Sequence, residues 1–581
     1  MTYLKRFVIK GFSLILDILI ALSCLTVFYI LITGGGELYA GDMYIRFYSS
    51  RNVLIMLIIL LPLRFYAGDQ TPFFLIKKLN PRQLSQKLLN FWTYFYRRLE
   101  SLKKEDVIRF LAVVVFISTV VKILNSWFYY GFFSGDDVEV FEMTFTQLFD
   151  WKWEAWNLRS AFYPMVFIYP VQALLKGAGV TDPAVFVFTG RLIVIAFSVL
   201  NILLVYKIVS RLFDNSAPGL IAAFILAFSQ LHITFAASVL PRTVSSTFIL
   251  CSLYLLILKP KSSLFASLAG VAIGIGTVIR FSEAIFIFPC LIYLIMEKRI
   301  RHAVLVSLAS SMTGMALLGI SDYYYWGSPF FSLKNIIDYT LVKKLSSRGY
   351  QSPLYYIIHI GEWSNGLMIV LSILAFRYKK HIITVWALIP LLILSIFPHK
   401  ESRYLVPVIP FFAAMAGIGL WYWMKQTAEN LRLQLPKRQM QALLLSFVFI
   451  GSLLFEIDGF RFRRSEAGVD AAKYLSKQKN IQSVAFEQIW RGGGKIYLYK
   501  IPHVLDISPD SIGDTRYLMK IINTPGLQIV ALKENDVKKY HYDDLLIKKG
   551  FEEFHVRQKG RDHYRLFKKR VAPAPHSRSA R

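Results

Sequence analysis

Long apolar runs, separated by short segments rich in lysine and arginine, recur through most of this 581-residue chain. One water-soluble core cannot absorb so many. A bilayer can, because a helix of about 20 apolar residues satisfies its own backbone polar groups while crossing the hydrocarbon. Hydrophobic residues make up 55% of the chain and charged residues 18%, against about 25% charged in a typical soluble domain. Fibrous, disordered, disulfide-stapled and ordinary soluble folds are thereby excluded. The expected fold class is an all-α polytopic membrane protein with a small C-terminal extracytoplasmic α/β domain.

Thirteen candidate spans are read: 11–33, 51–66, 107–129, 186–208, 216–231, 241–258, 264–279, 282–297, 303–320, 354–375, 382–397, 404–424 and 439–457. With the N-terminus in the cytoplasm, this order places every basic loop (70–106, 207–211, 259–261, 298–302, 377–381 and 425–438) on the cytoplasmic side, as the positive-inside rule requires. The formal charge of +30 is then explained by anionic headgroups, and no nucleic-acid partner is expected. Cys24, Cys251 and Cys290 all lie in apolar runs and form no CxxC pair, so they are read as buried small hydrophobes. No Asn-x-Ser/Thr sequon occurs, which favours a prokaryotic inner or cell membrane as the location.

The chain divides into four parts. Residues 1–106 form a pair of extra N-terminal membrane helices with a basic, partly amphipathic cytoplasmic linker. Residues 107–457 form the membrane domain, with outward loops at 130–185 and 321–353. Residues 458–570 are expected to fold as a separate α/β unit, with a helix over 466–478 and strands at 481–486, 496–500 and 527–531. Residues 571–581 read as a disordered tail. The run Arg491-Gly-Gly-Gly-Lys495 lacks the spacing of a phosphate loop and reads as a glycine turn.

The outward segments hold the groups suited to chemistry. Ser134-Gly135-Asp136-Asp137-Val138-Glu139 directly follows a span, and Trp156, Arg159, Tyr163 and Pro164 come downstream. Carboxylates at a membrane boundary are costly unless hydrated, paired or used. One of them can take a proton from a hydroxyl nucleophile. The second cluster is His399-Lys400-Glu401-Ser402-Arg403-Tyr404. Lys400 and Arg403 share a face if this segment is helical, and such a pair suits a lipid-borne phosphate. The third is Asp322 in a tyrosine-rich stretch, followed by Tyr350. Its aromatics suit a sugar, a polyprenyl chain or an interfacial belt equally well. Arg242 and Arg280 sit at outward span ends, and Glu283 is placed to pair with Arg280 at i+3.

These motifs resemble the GT-C superfamily of membrane glycosyltransferases. Within it, the chain is similar to the alpha-mannosyltransferases that act on GPI anchors and on lumenal N-glycan precursors. His399-Lys400-Glu401-Ser402-Arg403-Tyr404 matches that family's His-Lys-Glu-x-Arg-Phe signature. Asp136-Asp137 stands where the family has Asp-Glu, and the His-Pro before it is replaced by Ser134-Gly135. Asp322 with Trp326-Gly327 resembles an intervening Asp-x-x-x-Tyr-Gly segment. The resemblance covers roughly 107–457.

It implies a hexosyltransferase that uses a polyprenyl-phosphate sugar, usually mannose, and a lipid-linked or glycan acceptor outside the cytoplasm, with inversion. Asp136 or Asp137 would take the catalytic place. Lys400, Arg403 and His399 would lie near the donor phosphate, with Glu401, Tyr404, Glu139, Arg159, Asp322, Tyr350, Arg242 and Arg280 in support. No cofactor is required on this reading. Mg²⁺ or Mn²⁺ on the carboxylates is the alternative, and no metal ligand set is assigned. Other functions carried beside it are transfer of another sugar such as arabinose or an amino sugar, a non-catalytic scaffold of polysaccharide assembly, and a transporter. A transporter should show inverted repeats and midplane charges; neither is evident here.

Overall fold

A computed structural model describes residues 81–128, 131–132, 135–149, 151, 157–343, 351–363, 366–376, 381–429, 467–489, 494–508, 510–559 and 562–570, together with 36–40, 43–47 and scattered positions from 16 to 26. The short hairpin β1 (Gly36–Ala40) and β2 (Met43–Phe47) precedes a largely helical body. Helix α1 (Pro81–Glu100) buries Leu89, Trp92, Tyr96 and Leu99 along one stripe, as an amphipathic helix does. Its last turn carries the basic Arg97 and Arg98. After it come α2 (Lys104–Phe128), α3 (Gly135–Phe149), α4 (Tyr169–Gly177) and the long α5 (Pro183–Phe213).

Local chemistry sets several of these boundaries. Asp182 caps α5 by accepting from the Ala184 amide at 2.8 Å, with Pro183 in the first turn. Asp214 ends α5 in the left-handed conformation, and Asn215 caps the next helix by accepting from the Ala217 amide. That helix is α6 (Ser216–Phe228), which bends by 57° into α7 (Gln230–Ala236). Then follow α8 (Arg242–Leu258), α9 (Ser263–Ile279), α10 (Ile287–Met296), α11 (Ile300–Trp326) and α12 (Phe331–Ile337). The helical part closes with α13 (Tyr355–Trp363), α14 (Gly366–Ala375), α15 (His381–Ile396) and α16 (Ile409–Glu429). Asn201 of α5 donates to the Thr243 carbonyl and accepts from the Thr247 hydroxyl at 2.6 Å. These polar contacts join α5 to α8 within an apolar setting.

The thirteen-span reading does not stand. Among the described residues, three helices are long and apolar enough to cross a membrane: Lys104–Trp127, Pro183–Phe213 and Ile300–Trp326. A fourth is added if the bent pair α6–α7 is one span. An apolar run need not be one straight helix. The 282–297 run is a 3₁₀ turn, Phe281–Phe286, followed by the ten-residue α10. Helices α8 and α9 have 17 residues each, about 25 Å of rise. Much of their apolarity serves helix-to-helix packing, as with Leu250, Leu253, Ala269 and Ile273, all fully buried. The spans read at 51–66 and 439–457, and most of 11–33, lie outside the described residues.

The C-terminal unit begins with α17 (Ala467–Ser476) and a five-stranded sheet. Its strands are β3 (Ser483–Glu487), β4 (His503–Ile507), β5 (Ile529–Lys533), β6 (Phe551–Lys559) and β7 (Asp562–Lys569), in the spatial order β4-β3-β5-β7-β6. The first three are parallel, and β7 and β6 add antiparallel. Helices α18 (Thr515–Ile522), α19 (Glu534–Tyr540) and α20 (Tyr542–Lys548) connect them. The strand expected at 496–500 is instead a 3₁₀ turn over Gly494–Leu498. Its Ile496, Tyr497 and Leu498 are all buried, so the apolar run gave no alternation to distinguish strand from helix. The unit is not packed by itself. Tyr499 lies with its ring 5.4 Å from Phe145 and 4.6 Å from Phe149 of α3, and one continuous apolar cluster includes α3, α5 and α17.

One close approach makes a direct test of the helix packing. A Cβ added at Gly417 of α16 would stand 2.6 Å from the Ala222 backbone of α6, whereas one at Gly314 of α11 meets nothing within 4 Å. Gly417→Ala should cost about 1–3 kcal/mol through overpacking, and Gly314→Ala should be neutral or stabilising. Thermal unfolding in detergent compares the two; equal melting temperatures would contradict this packing.

Candidate active site

Helix α3 starts at Gly135 and carries Asp136 and Asp137 in its first turn, where the helix dipole favours negative charge. Adjacent helical residues point about 100° apart, so the two carboxylates have different partners. Asp137 is buried and its Oδ1 accepts from the Ser238 hydroxyl at 2.7 Å. Asp136 is enclosed by guanidiniums. Arg159 Nη2 lies 2.8 Å from its Oδ1, while Arg403 Nη1 at 2.7 Å and Arg280 Nη2 at 3.4 Å meet its Oδ2. Four separate chain segments therefore meet at one carboxylate.

Around this centre the charges alternate. Arg159 also donates through Nε to Glu139 Oε2 at 2.7 Å. Arg403 pairs through Nε with Glu401, whose other oxygen lies 3.0 Å from His399 Nε2. Arg242 stacks 4.3 Å above the Tyr404 ring and pairs with Glu283 at 3.2 Å.

Asp136 and Glu139 of α3 are pushed in opposite directions. Burial acts to raise the Asp136 pKa, but Arg159, Arg280 and Arg403 overcome it and hold the group well below the usual carboxylate range. Burial dominates at Glu139 and raises its pKa, against the pull of Arg159. For Glu401 burial is outweighed by the His399 hydrogen bond and by Arg403, which bring it down to about 2. Arg403 loses some affinity for its proton through burial and regains more from Asp136 and Glu401.

The structure thus brings together Asp136, Glu139, Arg159, Arg280, His399, Glu401 and Arg403, with Arg242 and Tyr404 behind them. It does not bring Lys400 to the carboxylate. Residue 401 is extended (φ −140°, ψ 141°), so Lys400 and Arg403 share no helical face. Lys400 Nζ instead donates to the carbonyls of Gln351 (3.1 Å) and Phe397. Asp322 is fully buried and accepts from the Ser332 amide at 2.9 Å and its hydroxyl at 2.6 Å, tying α11 to α12. Glu283 pairs with Arg242, not with Arg280 as the i+3 spacing suggested, because Arg280 is taken by Asp136. Tyr350 lies outside the described residues.

The sequence pattern assigned no role to Ser238, Glu142 or Lys495. The Lys495 ammonium and the Glu142 carboxylate form an ion pair with both side chains buried. The available signal was the i, i+3, i+6 stripe Asp136, Glu139, Glu142 on one helix. Three carboxylates along one stripe need cations from elsewhere.

Among the described residues no group of three or more His, Cys, Asp or Glu side chains is placed to hold a metal ion. Three guanidiniums on one carboxylate concentrate donors for anionic oxygens at one place. Planar donor forks suit phosphate in particular.

The Alg9-like mannosyltransferase family model matches residues 137–488, from α3 into β3 and more than half of the chain. A GPI mannosyltransferase 3 of Yarrowia lipolytica is 24% identical over 345 residues, covering 58% of this chain and 64% of that protein. A probable Dol-P-Man:Man(7)GlcNAc(2)-PP-Dol alpha-1,6-mannosyltransferase of Schizosaccharomyces pombe is 26% identical over 219 residues, 36% of this chain and 39% of that protein. The matches thus span less than two thirds of these relatives' length. Among solved structures, ArnT from Cupriavidus metallidurans bound to undecaprenyl phosphate superposes with a TM-score of 0.53 at 14% identity, covering 80% of this chain and 98% of that one. The Archaeoglobus fulgidus oligosaccharyltransferase superposes with a TM-score of 0.52 at 11% identity, over 79% and 74%. These likenesses show a shared fold. With the family match running through Glu139, Arg159, Arg280 and the His399–Tyr404 motif, the chain belongs to the Alg9-like mannosyltransferase family.

Proposed function

We propose that this protein transfers a sugar, mannose by its family, from a polyprenyl-phosphate donor to a hydroxyl of a lipid-linked or glycan acceptor, with inversion. One observation carries the reading: Asp136 sits against Arg159, Arg280 and Arg403, so a proton acceptor and a phosphate receptor occupy the same few ångströms. The acceptor oxygen forms its bond to the anomeric carbon as the bond from that carbon to the phosphate oxygen breaks. The electron pair leaves with the phosphate, and the hydroxyl proton passes to a carboxylate of α3. Arg403 and Arg280 offset the charge growing on the leaving phosphate. One displacement of this kind inverts the anomeric centre.

Asp136 in the unliganded protein is a poor base, because its charge is already satisfied. A donor phosphate competes for Arg403 and Arg280. Binding would then both seat the leaving group and free the base, while Glu139 keeps Arg159 in place. The relative named for Dol-P-Man supports mannose as the sugar. Helix directions support an extracytoplasmic site: Lys104, Lys259, Lys261, Lys298 and Arg301 lie at or beside the helix ends opposite those that carry Arg242 and Arg280, and basic ends face the cytoplasm.

Purified protein in liposomes should transfer mannose from polyprenyl-phosphate mannose and not from a nucleotide sugar. Asp136→Asn should lower kcat by about 10²–10⁴-fold. Turnover from the nucleotide sugar alone would refute the donor class. Turnover from a different polyprenyl-phosphate sugar, but not mannose, would refute only the sugar.

The pH profile gives a second test. In the free protein Asp136 is held ionised below the ordinary carboxylate range, so the acid limb of kcat/KM should lie at low pH. Once phosphate shares the guanidiniums, the Asp136 pKa rises, so the acid limb of kcat should appear at higher pH. Coincident limbs would contradict release of the base by the donor.

A further inference from the structure

The carboxylate stripe of α3 extends past the site. Asp136, Glu139 and Glu142 follow one another at three-residue spacing, so each is a surface neighbour of the next, with about 60° of rotation between them. Arg159 bridges the first two. Glu142 is 1% exposed, and its cation is Lys495, 0% exposed, from the C-terminal unit. The Lys495 ammonium also lies 5.8 Å from the ring centre of Trp151, just beyond the end of α3. Lys495 therefore reaches both the helix that presents Asp136 and the start of the segment leading to Arg159.

The turn that delivers Lys495 is tightly seated. A Cβ at the preceding Gly494 would stand 3.2 Å from Ala472 Cβ and 3.3 Å from Ile489 Cγ1, so the glycine allows the turn to lie against α17. Phe145 and Phe149 of α3 pack on Tyr499, whose hydroxyl donates to the Thr181 carbonyl at 2.9 Å. The buried ion pair adds what apolar packing lacks, a fixed rotation and register for α3.

We propose that Lys495 is a positioning residue for the transfer reaction: by neutralising Glu142 from the C-terminal unit, it sets the orientation of α3 and hence of Asp136 against Arg280 and Arg403. Without Lys495, Glu142 loses its buried cation about two turns from Asp136, and α3 must rotate or loosen to hydrate it. The proposal rests on the transferase reading for its kinetic consequence, but not for its structural one.

Two measurements on the full-length protein in liposomes test it, using Lys495→Met, Glu142→Gln and the double variant, in which the charged pair is removed together. The first is hydrogen exchange. Lys495→Met should speed exchange over 137–149 and leave 242–279 unchanged, and the double variant should return α3 to near wild-type protection. The second is transfer from polyprenyl-phosphate mannose. Lys495→Met should lower kcat by about 10²-fold, the scale of a small misplacement of reacting groups, with KM for the donor little changed, and Glu142→Gln should restore it in the double variant. Unaltered α3 exchange in Lys495→Met overturns the proposal whether or not the wild type transfers sugar. So does a double variant as damaged as the single one in kcat or exchange, since charge compensation would then not be the cause. A wild type that transfers no sugar counts against the transferase reading and leaves exchange to decide the role of Lys495 in placing α3.

Discussion

A largely enclosed carboxylate held by three guanidiniums fixes most of what surrounds it. Taking either sign of charge out of water is expensive, and removing one partner leaves the others uncompensated at a cost of about 3–5 kcal/mol. Asp136, Arg159, Arg280 and Arg403 are therefore mutually required. Each comes from a different place: the first turn of α3, the segment after it, the end of α9, and the 3₁₀ turn before α16. Their meeting ties the first turn of α3 to the end of α9 and to the 3₁₀ turn before α16. Arg242 and Glu283 add a neutral pair behind this centre, with Tyr404 beneath the guanidinium.

The helical frame supplies the rigidity this arrangement needs. Close approaches such as Gly417 on Ala222 bring α16 against α6, and the Asn201–Thr243–Thr247 contacts join α5 to α8. The C-terminal sheet is part of the same construction. Its apolar face, its Tyr499 ring and its Lys495 all bear on α3. The helix that presents the candidate base is thus held from the membrane body on one side and from the sheet unit on the other.

The site was legible in the sequence where charge appeared against the local trend. An Asp-Asp pair at a span end and a His-Lys-Glu-Ser-Arg-Tyr run at another stand out because buried or interfacial charge needs a reason. Arg280 and Arg242 were visible for the same cause, though the partner of Glu283 was not, since local spacing favoured Arg280 and the distant Asp136 took it. Lys400 and Arg403 would share a face only in a continuous helix, and the extended Glu401 before the 3₁₀ turn breaks it. The span count failed because apolar runs report burial from water, and burial against neighbouring helices satisfies that as well as lipid does. The bend between α6 and α7 and the 3₁₀ turn before α10 leave no trace in hydropathy. The Glu142–Lys495 pair was out of reach because it depends on docking of two units far apart in the chain.

The guanidiniums around Asp136 are the proposed seat of the donor phosphate. A structure of the protein with a polyprenyl phosphate bound tests this most directly. The account predicts phosphate oxygens on Arg403 and Arg280, with Asp136 Oδ2 displaced from both and turned toward the acceptor side. A phosphate bound elsewhere, with the Asp136–Arg403 pair intact, would contradict it.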